Sequence, residues 1–337
     1  MKKIFATFIA MSALLTFAQQ DKHFSMFFAN QVQFNPAAAG HFGGDIRLFT
    51  NFRTQWFTIP GRSFRSISAS VDGRLFEDDL NNGFIGIGAN FYNDVSGDGG
   101  YTMNVISVPL NYSLKLNHTT HLALGVQPGV YMTSVQDGLY FKNQWTGTEF
   151  NTDIPTGEPL EAFSQSQFDL SAGVHFVAAP SSHKKFEFGF SGFHLLKQDV
   201  SLYGINENLY RNFTFFGKAD LGNSFNDWSF HPAIIAMAQG PNWNIVGGCN
   251  FQYILKPASK HTMYFDGQSI SFGVYHRVMD SFIGNIIYNA GRFSIGASYD
   301  MNISGLIPAT KTVGAAEIFL SFSPDLGGGR FGAPRIH

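Results

Sequence analysis

The sequence predicts an all-β fold, a transmembrane antiparallel β-barrel of the outer-membrane type with about 14 strands. Three observations predict it: stretches of about ten residues in which apolar and polar side chains alternate, a content of 37 Phe and 12 Tyr, and a polar face made mostly of Gly, Ser, Asn and Gln. Only 14% of the 337 residues are charged, and the mean hydropathy is -0.03. Apolar residues are therefore interleaved with small polar ones, which argues against a helical membrane protein.

Each strand is predicted from alternation with period two, which places successive side chains on opposite faces. In the segment 293–300, Phe293 and Ile295 share one face while Ser294 and Asp300 share the other. The same pattern predicts strands at 45–57, 63–76, 83–93, 101–116, 119–135, 166–178, 185–194, 211–221, 228–238, 243–256, 268–277, 281–289, 292–301 and 313–323. The segment 228–238 is the weakest of these because Pro232 interrupts it.

The polar face separates a membrane barrel from a soluble β-sandwich. A sandwich would show Lys and Glu to solvent, whereas Gly, Ser, Asn and Gln suit a crowded lumen. If both termini face the periplasm, the longest connection, 136–165, is an extracellular loop without regular structure, and its acidic residues form either a partner surface or a solvated linker. The connection 256–267 fits less well, since it would be a long periplasmic loop. Either a short strand lies there, or the order of strands slips by one element.

The chain is predicted to have four parts. Lys2 and Lys3, the apolar stretch 4–15 and the small residues up to Ala18 have the form of a cleaved secretory signal at 1–18. A periplasmic or lumenal segment at 19–44 follows, then the barrel at 45–323 and a C-terminal tail at 324–337.

Composition and motifs exclude several functions. A net charge of -2 without any Lys/Arg block excludes a nucleic-acid binder. The single cysteine, Cys249, excludes a disulfide framework or a Cys-rich metal site. No nucleotide fingerprint, metal-ligand spacing or hydrolase-like carboxylate pair is found, so no catalytic residue, metal or cofactor is expected. Two Ser/His pairs, Ser191 with His194 and Ser229 with His231, are interpreted as coincidental, and the chain is not expected to be an enzyme.

Strand parity also predicts which side chains line the lumen. In the first strand, one face carries two arginines and two amides: Arg47, Asn51, Arg53 and Gln55. The preferred interpretation is that the arginines pair with inward acids, such as Asp169 or Asp220, in a plugged lumen, because buried charge must be paired. The other is an anion-selective constriction or docking site.

A succession of short motifs resembles the PorP/SprF family of type IX secretion system outer-membrane proteins. It covers the mature chain, from QDKHFS at 20–25 through FNPAAAG at 34–40 and NFRTQW at 51–56 to SYD at 298–300 and AEI at 316–318. The positions that carry the family motifs are Asp21, His23, Phe24, Asn35, Pro36, Gly40, Arg53, Trp56, Ser298, Tyr299, Asp300 and Glu317.

The resemblance implies a role in protein export by Bacteroidota-type bacteria. The barrel would support secretion and cell-surface attachment of specific cargo, often adhesins with a type B C-terminal sorting domain, and gliding motility. Its partners would be outer-membrane lipid, the type IX machinery and the cargo, with no cofactor and no nucleic acid. The alternative function is a passive porin or a transporter of small hydrophobic solutes.

Overall fold

The computed structural model describes residues 22–58, 63–76, 80, 82–97, 99–135, 140–157, 164–200, 208–223, 226–257 and 267–324. Fifteen strands pair in one antiparallel sheet. They are β1 (Ile46–Gln55), β2 (Phe64–Leu75), β3 (Gly83–Ser96), β4 (Tyr101–Ser107), β5 (Leu110–Asn117), β6 (Thr120–Ser134), β7 (Ser164–Ser181), β8 (Lys184–Phe193), β9 (Asn212–Asn223), β10 (Asn226–Gln239), β11 (Asn242–Lys256), β12 (Gln268–Arg277), β13 (Ser281–Ala290), β14 (Phe293–Asn302) and β15 (Val313–Phe322).

The sheet closes on itself because β1 pairs with both β2 and β15. β4 and β5 are the two halves of one barrel strand, since both lie between β3 and β6. The break falls at Val108 and Pro109, where proline has no N–H to donate to the ladder. The result is a closed barrel of fourteen strands, and the predicted fold class and strand number are confirmed.

The two faces of the sheet have opposite character, as the alternation predicts. In β1, Leu48 and Phe52 are exposed on the outer face, while Phe49 and Arg53 are buried on the inner face. Large apolar side chains cover the outside around the barrel, among them Leu124, Phe168, Phe190, Val274 and Ile318. An apolar outer band around a polar interior is the arrangement that a lipid bilayer stabilises. No helix in the described part of the chain is long and apolar enough to cross a membrane.

The barrel has a near mouth, where β1 begins and β15 ends, and a far mouth at the opposite end. Two-residue turns at 118–119, 182–183 and 291–292 lie at the near mouth. The far mouth carries the connections 135–163, 194–211 and 303–312, the last with the short helix α1 (Ile307–Thr310). The two longest connections, 135–163 and 194–211, therefore lie at the far mouth, as in bacterial outer-membrane barrels, and the near mouth carries one long connection, 257–267.

Two connections can be compared with the predictions made for them from the sequence. The described part of the longest far-mouth connection holds a one-turn 3-10 helix, Lys142–Gln144, and a bridge between Trp145 and Phe150, so the expectation of an irregular loop is wrong there. Next to the connection 256–267, β11 and β12 pair directly, so the order of strands does not slip. The suggested extra strand falls on residues 258–266, which lie outside the described residues.

Candidate functional site

The lumen is occupied by the chain's own N-terminal segment, residues 22–45, called the plug below. It contains three one-turn 3-10 helices, Phe27–Ala29, Gln31–Gln33 and Pro36–Ala38. At the far mouth, the ammonium of Lys22 lies 5.2 Å from the ring centre of Phe193 at the end of β8. At the near mouth, the N–H of residue 45 donates to the carbonyl of residue 324 at 3.2 Å. The plug therefore runs the length of the lumen.

An ionic cluster holds the plug near the far mouth. This anchor cluster consists of Ser25, Arg53, Arg277, Asp300 and Glu317. The backbone N–H of Ser25 donates to Glu317 Oε2 at 2.7 Å, and the following N–H donates to Oε1 at 3.0 Å. The Ser25 hydroxyl accepts from Arg53 at 2.6 Å and from Arg277 at 2.9 Å, and it donates to Asp300 at 2.8 Å.

Within the anchor cluster two arginines balance two carboxylates, and Arg277 also bonds the more exposed Asp280 at 3.0 Å. Arg53 bonds Asp300 at 2.9 Å and Glu317 at 3.3 Å, and Arg277 bonds Asp300 at 3.1 Å. These side chains are at most 9% exposed, so removing one partner would leave a charge unpaired away from water. Arg53 faces Glu317 directly across the β1–β15 pairing. The cluster thus binds the plug to β1 and β15, the two strands whose pairing closes the barrel.

A second set of contacts holds the plug near the near mouth. Arg47 bonds Asp72 through two nitrogens, each at 2.9 Å, and Asp72 accepts from the backbone N–H of Gly40 at 2.9 Å. Arg74 donates to the carbonyl of Gly40 at 2.5 Å and to that of Phe42. Gly40 has φ +79°, a conformation that glycine adopts without strain.

The two lumenal arginines do pair with inward acids, but the expected partners Asp169 and Asp220 are wrong. The acids that bond them are Asp72, Asp300 and Glu317. The reason is the register of the strands. Arg47 lies opposite Asp72 across the β1–β2 pairing, and Arg53 lies opposite Glu317 across the β1–β15 pairing. Asp169 and Asp220 belong to β7 and β9, on a different part of the wall.

The structure places the other predicted lumen residues as follows. Asn51 is buried and donates to the Glu317 carboxylate at 2.9 Å, and Gln55 is half-buried at the far end of β1. Asp169 is buried and lies 3.0 Å from His194. Asp220 lines a cavity at the near mouth.

The middle of the plug is held by Asn35. Its amide nitrogen donates to the carbonyl of Val174 at 2.8 Å, and its oxygen accepts from the N–H of Ala37 at 3.0 Å. Glycines on the wall leave room for the plug backbone: a Cβ on Gly125 would lie 2.6 Å from the Ala37 nitrogen. Gly173 on β7 and Gly189 on β8 leave room for the Asn35 side chain.

Most family-motif positions contact the plug or belong to it. His23 accepts from Asn244 at 2.6 Å, and Phe24 packs edge-on against Tyr92 at 5.8 Å. Pro36 begins the third 3-10 helix. The remaining motif residues are placed elsewhere: Trp56 at φ +55° beyond β1, Ser298 buried on the inner face, Tyr299 exposed on the outer face, and Asp21 outside the described residues.

Sequence reasoning missed Ser25, Asp72, Arg74 and Arg277 as parts of the site. Strand parity would have placed Arg277 inward, because it shares a face with Ser269 and Ser271 in β12. No comparable signal marks Ser25, since its role arises only when the plug meets the closed wall. Among the described residues, no group of three His, Cys, Asp or Glu is placed to hold a metal ion.

Acidification is expected to destabilise the plug through His41, whose ring packs 4.9 Å from that of His175. Burial, with the nearby charges of His175, Arg74 and Lys185, holds the pKa of His41 well below its usual value, against an opposing effect of Glu187. As the pH falls below about 6.5, the unfolded chain binds a proton at His41 that the folded chain does not bind. The free energy of unfolding should therefore fall by up to about 1.4 kcal/mol per pH unit.

The check is the thermal unfolding temperature by circular dichroism between about pH 7 and pH 5. The wild type should lose stability over this window, and His41→Gln, which cannot titrate, should lose less. An equal loss of stability in the wild type and in His41→Gln would contradict the role assigned to His41.

A closed barrel with an apolar outer face and a lumen filled by its own N-terminal segment defines a plugged transmembrane β-barrel of the outer-membrane type. The sequence profile of the type IX secretion system membrane protein family PorP/SprF matches residues 16–322. The chain belongs to this family, and the resemblance seen in the sequence is confirmed.

Solved structures with similar folds are bacterial barrels. The toluene transporter TodX of P. putida has a TM-score of 0.47 and 8% identity, with 86% of this chain and 93% of that chain covered. The Ralstonia pickettii toluene transporter TbuX has a TM-score of 0.45 and 9% identity over 86% and 91% of the two chains. The translocator domain of autotransporter NalP from Neisseria meningitidis has a TM-score of 0.34 and 9% identity over 88% and 95%. No curated protein sequence matches the chain.

Proposed function

We propose that this protein supports secretion and cell-surface attachment of specific type IX cargo, such as adhesins with a type B C-terminal sorting domain used in gliding motility. In this role the signal at 1–18 is removed, both termini face the periplasm and the far mouth faces outward. The cargo binds a rigid platform at the far mouth. The plugged lumen is the observation that carries the proposal, because a barrel sealed by 24 of its own residues is poorly suited to passive diffusion.

An exposed aromatic cluster at the far mouth is a suitable surface for such cargo. Tyr140, Trp145 and Phe150 are 62%, 49% and 45% exposed. Their rings pack together, with centroids 5.0 Å apart for Tyr140–Phe150 and 4.9 Å apart for Trp145–Phe150. Exposed aromatic side chains held in one place are typical anchors of protein interfaces.

The loop that carries this cluster is held by its own hydrogen bonds. Gln144 is 4% exposed; its side chain donates to the carbonyl of Ile154 at 3.0 Å, and its carbonyl accepts from Asn151 at 2.8 Å. The rings are thus presented in a fixed arrangement, which lowers the entropy cost of binding.

The test compares surface and secreted proteomes of the parent strain with those of a strain lacking the gene. Loss of one large adhesin, with other cargo intact, is the expected result. Normal display of every cargo protein in the deletion strain would refute the proposal.

Complementation then tests the aromatic cluster. The triple variant Tyr140→Ala, Trp145→Ala, Phe150→Ala should fail to restore the missing cargo, although the barrel is present at the parental level. The matched control replaces Leu306 and Ile307, exposed apolar residues in another far-mouth connection, with Ala. Equal restoration by both variants would exclude the cluster as the cargo surface.

A further inference from the structure

The plug leaves a cavity of about 590 Å³ on one side of the lumen. The cavity lies toward the near mouth, between the plug residue Phe28 and a wall made by β8 to β15. Its volume is within the range of small-molecule sites, roughly 300–1,000 Å³. Three lysines contribute to its lining, Lys184, Lys185 and Lys218.

Three side chains on this wall form a hydrogen-bonded chain. The hydroxyl of Ser229 lies 2.8 Å from Nε2 of His231, and Nδ1 of His231 lies 2.7 Å from Oδ1 of Asp220. Ser229 and His231 are two residues apart on β10, so both point inward, while Asp220 projects from the neighbouring strand β9. The His231 and Asp220 side chains are 21% and 23% exposed, so the chain is reachable from the cavity.

The order of contacts is that of an activated serine nucleophile. One ring nitrogen is within reach of the hydroxyl proton, and the other faces a carboxylate that fixes the tautomer and stabilises the imidazolium. Lys218 lies 3.5 Å from Asp220 and places a positive charge next to the chain. Such charge attracts an anionic ligand and stabilises an oxyanion.

We propose that Ser229, His231 and Asp220 form a hydrolytic site for short anionic esters that enter through the near mouth. This activity is separate from cargo attachment at the far mouth. Ser229 Oγ forms a bond to the ester carbonyl carbon as His231 Nε2 takes the hydroxyl proton. The ester C–O bond then breaks, and the leaving alkoxide takes that proton. Water, deprotonated by His231, attacks the acyl-serine, and breaking its C–O bond returns the proton to Ser229 and releases the acid.

The first test uses a fluorescent fluorophosphonate, which labels activated serines, on the full-length barrel folded in detergent. The wild type should be labelled, and Ser229→Ala and His231→Gln should reduce labelling at least about tenfold. Ser294→Ala is the matched control, because Ser294 lines the same cavity and bonds only the Asn289 amide among the contacts described for its hydroxyl. The migration shift between unboiled and boiled samples verifies folding of each variant.

An unlabelled wild type, or labelling that survives Ser229→Ala, would overturn the site.

The second test measures hydrolysis of 4-nitrophenyl acetate and the 4-nitrophenyl half-ester of succinate. Relative to the protein-free rate of each ester, the wild type should accelerate the succinate ester more, and Lys218→Met should remove that preference; equal acceleration of both esters by the wild type would overturn the anion selectivity. Asp220 is a positioning residue, so Asp220→Glu should recover part of the rate lost in Asp220→Asn. No recovery would refute that role.

Discussion

Replacing Arg53 with Met is expected to release the far end of the plug and open the barrel to ions. The substitution removes the cation shared by Asp300 and Glu317 and leaves two carboxylates with a single compensating guanidinium, that of Arg277. Breaking a buried pair in this way costs about 3–5 kcal/mol. Purified Arg53→Met in planar bilayers should show ion conductance that the wild type lacks, and its thermal unfolding should begin at a lower temperature.

Two further variants make this prediction specific. Lys115→Met removes an exposed cation from β5 and should leave both conductance and stability unchanged. The double variant Arg53→Met, Glu317→Gln should be less destabilised than the sum of the single changes, because the unpaired negative charge is gone. An Arg53→Met barrel that shows no ion conductance and unfolds at the wild-type temperature would contradict the anchoring role of the cluster.

Gly125→Ala is expected to displace the middle of the plug. The added Cβ would lie 2.6 and 2.7 Å from the nitrogen and Cα of Ala37 and 2.8 Å from the carbonyl carbon of Pro36. All three are backbone atoms, so the clash is not relieved by a rotamer change. Overpacking of this kind costs about 1–3 kcal/mol. Limited proteolysis should cleave the plug faster in this variant, and the barrel should unfold at a lower temperature.

Gly284→Ala is the matched control for this substitution. Gly284 also lies within a strand, but nothing approaches the position of its Cβ within 4 Å. It should match the wild type in both measurements. If Gly125→Ala and Gly284→Ala behave alike, the close approach of plug and wall at Gly125 has no energetic importance.

The barrel itself was predictable because alternation acts residue by residue. The alternation within each strand shows which of its side chains meet lipid and which meet the lumen. Strand positions can therefore be predicted without knowing which strands pair with each other. Even β10 formed across Pro232, where the ladder tolerates a residue without N–H. The interrupted strand at Pro109 was still predicted as one unit, since both of its halves occupy one place in the barrel.

The contacts inside the lumen were less predictable because they depend on closure. Parity identified Arg47 and Arg53 as inward residues, but their partners follow from the register of β1 with β2 and β15. Ser25 closes the motif at 20–25, but nothing in that motif indicates which wall residues it contacts. Alternation places Ser229 and His231 on one face of their strand, yet only the register of β9 with β10 brings Asp220 to the imidazole.

The anchor cluster also has a consequence for how the barrel is assembled. The bond between Ser25 and Glu317 joins residues 292 positions apart, so the segment made first meets the strand made last. A slip of β15 by one residue would turn Glu317 toward lipid and leave the N–H groups of Ser25 and Met26 without their acceptor. The native register of β15 with β1 is therefore the one in which the plug N–H donors and the Glu317 carboxylate satisfy each other.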